Sequence, residues 1–127
     1  MSQYYEVGDE TLWNPASGAA RLFHRQVALF EEELGLPSGI GPMEMDECQI
    51  DPAALGVFTE ALVARHGHAG HAVIRALSEG FVTTVLVLAE RAGVGDLRVP
   101  PLPGSYEASA EDALRAAARE LSGRMPR

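Results

Sequence analysis

Apolar positions fall at helical spacing along four stretches of the chain, and a short aromatic segment at its start reads as strand instead. Tyr4-Tyr5-Glu6-Val7, the turn pair Gly8-Asp9 and Glu10-Thr11-Leu12-Trp13 predict a small hairpin. An isolated hairpin is marginal in water, so this one needs a helix or a third strand to lie on. Glu47-Cys48-Gln49-Ile50 is the one candidate third strand. Asn14-Pro15 carries the signature of a helix start, with Asn as cap and Pro at the first helical position. The first helix is expected from Pro15 to Leu34, with Leu22 or Phe23, then Val27, Phe30 and Leu34 as its buried stripe. Gly35 supplies a left-handed cap, and Leu36-Pro37 prevents continuation.

Asp51-Pro52 repeats the cap-and-proline signature, predicting a second helix from Pro52 to His66 with Leu55, Phe58 and Leu62 inward and Gly67 as its end. The third helix is expected from Gly70 to Ala92. Ile74, Leu77, Phe81, Val85 and Leu88 line one face; Val82, Leu86 and Ala89 line another. A helix apolar nearly all round is buried on most sides, so this one is the expected centre of the fold or an oligomer contact. Thr83 and Thr84 can satisfy their hydroxyls on carbonyls one turn earlier. A Gly/Pro-rich connector over 94–108, extended around Pro100-Pro101, leads to a last helix from Ala110 to Ser122. Ser109 and Asp112 form a near capping box there, Glu111 and Arg115 a favourable pair, and the apolar stripe is shallow. The expected architecture is mainly α: a three-helix core with a buried third helix, a small N-terminal β-hairpin and an accessory C-terminal helix. Residues 1–93 form the core domain, 94–108 the connector and 109–127 the accessory helix.

Composition narrows the chemistry. All ten basic residues are arginine, which removes Schiff-base lysines, pyridoxal-phosphate attachment and phosphate-binding P-loops. A single cysteine, Cys48, excludes an intrachain disulfide or a multi-cysteine zinc site. The first ten residues lack the basic and apolar segments of a signal peptide, and the apolar run Phe81–Ala89 is too short to span a bilayer. A cytoplasmic protein is the resulting expectation. The net charge of −8 argues against non-specific binding of nucleic acid or anionic membrane. Residues 1–64 carry eleven acids and two arginines, −9, while residues 65–127 carry seven acids and eight arginines, +1. That asymmetry favours a cationic partner, although a merely solvated acidic surface gives the same count.

Three groups of residues could carry function. His66, His68 and His71 lie within six residues and could ligate zinc, nickel or copper, but the spacing matches no standard zinc pattern and two glycines make the segment read as a turn. Cys48 near the start of the second helix could be an activated nucleophile, yet adjacent carboxylates disfavour a thiolate and an apolar strand position makes it inert core. Trp13, Tyr4, Tyr5 and Tyr106 could stack on a ligand, or Trp13 could simply pack the hairpin onto the first helix. No dinucleotide, nucleophile-elbow, metalloprotease or calcium-loop motif occurs, and no cofactor is implied.

The stretch Val7-Gly8-Asp9-Glu10-Thr11-Leu12-Trp13-Asn14-Pro15, with Gly18-Ala19-Ala20-Arg21-Leu22-Phe23, resembles a family of small actinobacterial proteins of unknown function. Leu36–Met43 and Asp46–Pro52 extend the likeness to about residues 3–93, leaving out the connector and last helix. The resemblance implies lineage and compartment and carries no mechanism. The leading expectation is a non-enzymatic, acidic interaction protein, immunity-like or regulatory, facing a basic protein surface. Glu31, Glu32, Glu33, Glu44, Asp46 and Glu47 would supply the charge, with Met43 and Met45 as apolar anchors in a loop tipped by Ile40. A small-ligand or metal site on the histidine turn, enzymatic or not, is the second expectation. A homo-oligomer or homodimer held by the third or last helix is another.

Overall fold

The computed structural model describes residues 1–69, 71–94 and 106–127. Its elements in chain order are β1 (Tyr4–Val7), β2 (Glu10–Trp13), α1 (Ser17–Leu34), β3 (Glu47–Gln49), α2 (Pro52–His68), α3 (Ala72–Arg91) and α4 (Tyr106–Ser122). The protein is mainly α with a small N-terminal sheet, as its hydrophobic pattern predicts.

The hairpin does gain a third strand. β3 pairs parallel to β1, giving the order β2-β1-β3, and α1 lies in the crossover that a parallel pair requires. Tyr5 in the middle strand opposes Trp13 on one side and Cys48 on the other, and all three are buried. A bulge opposite Tyr5 and Glu6 leaves Leu12 without a cross-strand partner, so that consecutive Leu12 and Trp13 both turn inward. This face packs on α1 through Phe23, whose ring meets Tyr5 and Trp13 edge-on at 5.6 and 5.5 Å between centroids. Trp13 therefore joins hairpin to helix.

α1 buries Ala20, Phe23, Val27 and Phe30, while Leu22 faces water. Gly35 ends it in the left-handed conformation, φ 66°, with its N–H on the Glu31 carbonyl. Its start differs from expectation. Asn14 is not the cap; the helix begins at Ser17 after Ala16, and the Met1 carbonyl receives both the Ser17 N–H and hydroxyl. Asn14 instead gives its N–H to the Pro126 carbonyl at 2.7 Å, tying the end of β2 to the C-terminal tail. At the second cap-and-proline signature the local rule holds: the Asp51 carboxylate accepts from the Ala53 N–H at 3.1 Å. Gly39, at φ 79°, makes the loop before it possible, because a Cβ there would lie 2.5 Å from the Asp51 carbonyl oxygen.

α2 runs past Gly67 to His68, one turn-fraction longer than expected, and buries Thr59, Val63 and His66 besides Leu55, Phe58 and Leu62. α3 is a single rod, but it is not enclosed along its whole length. Phe81–Ala89 is packed by protein except at Thr84, with the Thr83 and Thr84 hydroxyls donated to carbonyls one turn back. By contrast Val73, Ile74 and Leu77 are exposed, Leu77 by 78%. The expectation that Ile74 and Leu77 share the buried face with Phe81 is thus corrected: both are exposed, although they continue the same face of the helix. Ala72–Arg91 has the length and composition of a membrane-crossing helix, a test that the core helix of a soluble protein also meets.

α4 begins at Tyr106, so residues 106–108 are helical rather than connector and Ser109 lies inside the helix, not at its cap. The expected extension around Pro100-Pro101 lies outside the described residues. α4 docks on α3 by Leu114 and Ala118, followed by Met125, and the Glu111–Arg115 pair forms at 3.3 Å. Arg91 at the end of α3 clamps the junction. Its guanidinium donates to the Leu12 carbonyl released by the bulge (2.8 Å) and to the Ser122 carbonyl and hydroxyl (2.9 and 3.0 Å).

Candidate functional site

Because the N-terminal half of α3 is uncovered, a groove opens between it and the facing parts of α1 and α2. It encloses about 270 Å³, at the lower edge of the ~300–1,000 Å³ usual for small-molecule pockets. α1 contributes Gln26, Leu29, Phe30 and Glu33, four residues at the i, i+3, i+4, i+7 spacing of one helix face. α2 contributes Leu62, Arg65, His66 and Ala69; α3 contributes Ile74, Leu77, Ser78 and Val82. Phe30, Leu62 and Val82 are buried and form the floor, whereas Leu29, Ile74 and Leu77 stand exposed at the lip. Glu33 and Arg65 pair across the rim at 2.9 Å. Both remain roughly half exposed, so the pair shapes the edge more than it stabilises the fold.

His66 is the unusual member. It is only 9% exposed, and neither ring nitrogen has a hydrogen-bond partner among the described residues. The backbone of Arg75 approaches the ring without closing a hydrogen bond. Burial lowers the imidazole pKa from its ordinary value, the Glu79 charge opposes that shift, and the Arg75 charge reinforces it. The balance disfavours the protonated ring. Ser78 is not a second such group, since its hydroxyl donates to the Ile74 carbonyl at 2.8 Å.

The other histidines of the turn point elsewhere. His68 is exposed, with Nδ1 on the Ala64 carbonyl at 2.8 Å, and His71 is exposed as the residue before α3. No three His, Cys, Asp or Glu groups gather in a metal-holding arrangement among the described residues. His24 bridges the sheet to the loop after α1. Its Nε2–H donates to the Gly41 carbonyl at 3.1 Å, which leaves Nδ1 to accept from the Tyr5 hydroxyl at 2.6 Å. The same carbonyl receives the Cys48 thiol at 3.2 Å. Burial pushes that thiol up to about 11, the Gly41 contact opposing only in part, and burial likewise raises Tyr5, reinforced by charge on Cys48. Tyr5, His24 and Cys48 form a satisfied internal network, and Cys48 is no activated nucleophile.

The acidic residues singled out in the sequence are dispersed. Glu31 accepts the Ser38 N–H and hydroxyl, both at 2.9 Å, and so holds the loop after α1. Glu33 lines the groove and Glu32 is exposed one residue before it. Ile40 and Met43 fold onto the core, leaving Met45, 96% exposed, as the sole apolar tip. Glu44 and Glu47 exchange backbone hydrogen bonds around Met45 and Asp46, which both take positive φ (51° and 65°). This turn forces two residues other than glycine into the left-handed region. None of residues 43–47 lines the groove. The sequence singles out His66 only as one of three imidazoles within six residues, and it gives no direct sign of Gln26, Leu29 or the open side of Leu77. The signal available was Leu22 and Leu29 lying off the buried stripe of α1.

A three-stranded mixed sheet packed on a helical bundle with one open end defines the molecule. The chain belongs to a family of unknown function, DUF6086, whose model matches residues 1–127 and so includes the connector and α4, beyond the extent the sequence likeness suggests. No curated protein and no solved structure shows significant similarity to it.

Proposed function

We propose that the protein is a non-enzymatic interaction module that receives an amphipathic helical segment of a basic partner protein in the groove between α1, α2 and α3. The observation that carries this reading is the change of environment along α3. One half of a continuous apolar helix is enclosed by its own chain, and the other half presents Val73, Ile74 and Leu77 to water beside Leu29. Contiguous exposed apolar side chains beside a preformed groove are the usual mark of a docking surface. Leu22 and Val73, outside the groove lining on α1 and α3, are exposed as well. The charge of −8 attracts a cationic partner, with Glu32 exposed near the groove end of α1. A non-enzymatic role is supported by the burial of Cys48 and the engagement of His24 within the fold.

Benzoylphenylalanine placed at position 77, and at exposed Val57 on α2 as control, tests the reading by photo-cross-linking in the native cell. The reading expects an adduct from position 77 alone, mapped to an arginine- or lysine-flanked amphipathic segment of another protein. Adducts between two copies of this chain would replace it with the homo-oligomer, and adducts equal at both positions would reject the groove.

A further inference from the structure

We propose that His66 is a proton-operated lock on the open end of α3: uncharged, it holds the first turns of that helix against α2, and protonated, it releases them and opens one wall of the groove. The inference rests on the groove being a docking site and adds how its occupancy is regulated, with release on acidification. Among the described residues, none between His66 and Phe81 is buried. Over residues 72–80 only Arg75 and Ser78 are even partly buried. His66 is thus the last buried side chain where α2 leads into α3, and the Arg75 backbone at the start of α3 lies beside its ring. A helix end held by so little buried surface opens locally at small cost.

Such a lock closes only on an uncharged ring. Both nitrogens are shut off from water and have no hydrogen-bond partner among the described residues. An imidazolium has two N–H donors and a charge to satisfy there, a much larger demand than that of the neutral ring. The groups facing the ring do not meet it. From α3, the Glu79 charge favours the proton and the Arg75 charge opposes it, while the Arg75 backbone can serve one N–H at most. From α1 and α2, Glu33 and Arg65 are the charged members of the groove, and they pair with each other across the rim. His68 turns back to the Ala64 carbonyl. The charge is therefore accommodated by water, and the element that yields to admit it is the sparsely buried stretch 72–80. Phe30, Leu62 and Val82 remain in the core, so acid opens the wall at Ile74 and Leu77 and spares the floor.

Hydrogen exchange of the isolated full-length chain at pH 7.5 and pH 5.5, corrected for the intrinsic rate at each pH, reads the release directly. A ring freed from the fold titrates near 6.5, so at pH 5.5 the open form gains roughly five- to tenfold over the closed one. Protection of the amides at 75–80 should fall by that factor, while protection at 85–90 changes by less than about twofold. His66→Phe and His66→Gln are uncharged at both pH values, and each should flatten the response at 75–80 to less than about twofold. Unchanged protection at 75–80 in the wild type would overturn the proposal. So would an equal fall at 85–90, or a fall that persists in either variant. The measurement needs no partner, which separates the two readings. A flat profile with the position-77 cross-link intact removes the lock and keeps the docking site; the proton response without that cross-link keeps the lock and removes the docking site.

Discussion

Phe81 stacks on Phe30 with ring centroids 4.5 Å apart and planes only 6° from parallel. The same ring lies 5.6 Å from Phe23 and meets Phe58 edge-on at 6.5 Å, so one side chain of α3 joins α1 to α2. Leu77 is one turn earlier on the same helix and is exposed to water. The boundary between core and exposed apolar surface thus falls within a single helical turn.

That boundary has a direct energetic expectation. Phe81→Ala should lose about 3–5 kcal/mol of stability, the range for truncating a buried phenylalanine. Leu77→Ala should change it by no more than about 0.5 kcal/mol, as for surface positions without special contacts. Urea unfolding of both variants measures the contrast; comparable losses would mean that Leu77 is covered.

Arg91 holds three elements together by three hydrogen bonds from one guanidinium. Arg91→Met keeps the apolar stem but strands the Leu12 and Ser122 carbonyls, and should cost ~2–4 kcal/mol. Arg91→Lys should not restore the loss, because an ammonium lacks the fork that reaches both carbonyls. Thermal unfolding of the two variants checks this, and full recovery by lysine would contradict the geometry.

The Cys48 thiol is fully buried, with its pKa pushed up to about 11. At pH 8 the folded protein should leave Ellman's reagent unreacted on a timescale that labels free cysteine completely. Addition of denaturant should then release one equivalent of thiol. Prompt labelling of the folded chain would return Cys48 to candidacy as a nucleophile.

His66 makes stability depend on pH with a defined sign. Its pKa is lowered in the fold from an ordinary value of 6.5, so below that value the unfolded chain binds a proton that the folded chain resists. The contribution is present in full above pH 6.5 and is lost as pH falls toward the lowered value. Urea midpoints from pH 8 to pH 5 should therefore fall more steeply for the wild type than for His66→Phe. Carboxylate titration is common to both proteins and cancels in the difference. Parallel curves would place His66 in water.

The fold was legible wherever local chemistry and tertiary packing agree. Asp51 caps α2, Gly35 ends α1, and the Phe23, Val27, Phe30 stripe packs as its spacing requires. The identical signature at Asn14-Pro15 misleads because α1 starts later: the Asn14 side-chain oxygen has no hydrogen-bond partner among the described residues, and the Met1 carbonyl receives the Ser17 N–H at the start of the helix. No local rule contains that contact. Likewise Ile74 and Leu77 continue the period of Phe81 and Val85 without a break. Periodicity gives the face of a helix, not how far its neighbours extend along it.

The candidate site was legible only in fragments for the same reason. The histidine turn drew attention as a set of ligands, yet α2 continues through Gly67 and carries His66 inward, while His68 turns back onto its own helix. The acidic count was correct, but pairing decided its use: Glu31 serves Ser38 and Glu33 serves Arg65. A charge total cannot distinguish a carboxylate that holds a loop from one that faces a partner.

The claim on which the functional reading depends is that the N-terminal half of α3 and the facing side of α1 are open in the isolated chain. Methyl NMR in the presence of a soluble paramagnetic cosolute, at concentrations low enough to keep single chains, measures this residue by residue. Leu22, Leu29, Ile74 and Leu77 should be strongly attenuated while Val85, Leu88 and Leu114 stay sharp. Protection of Ile74 and Leu77 equal to that of Leu88 would contradict the account.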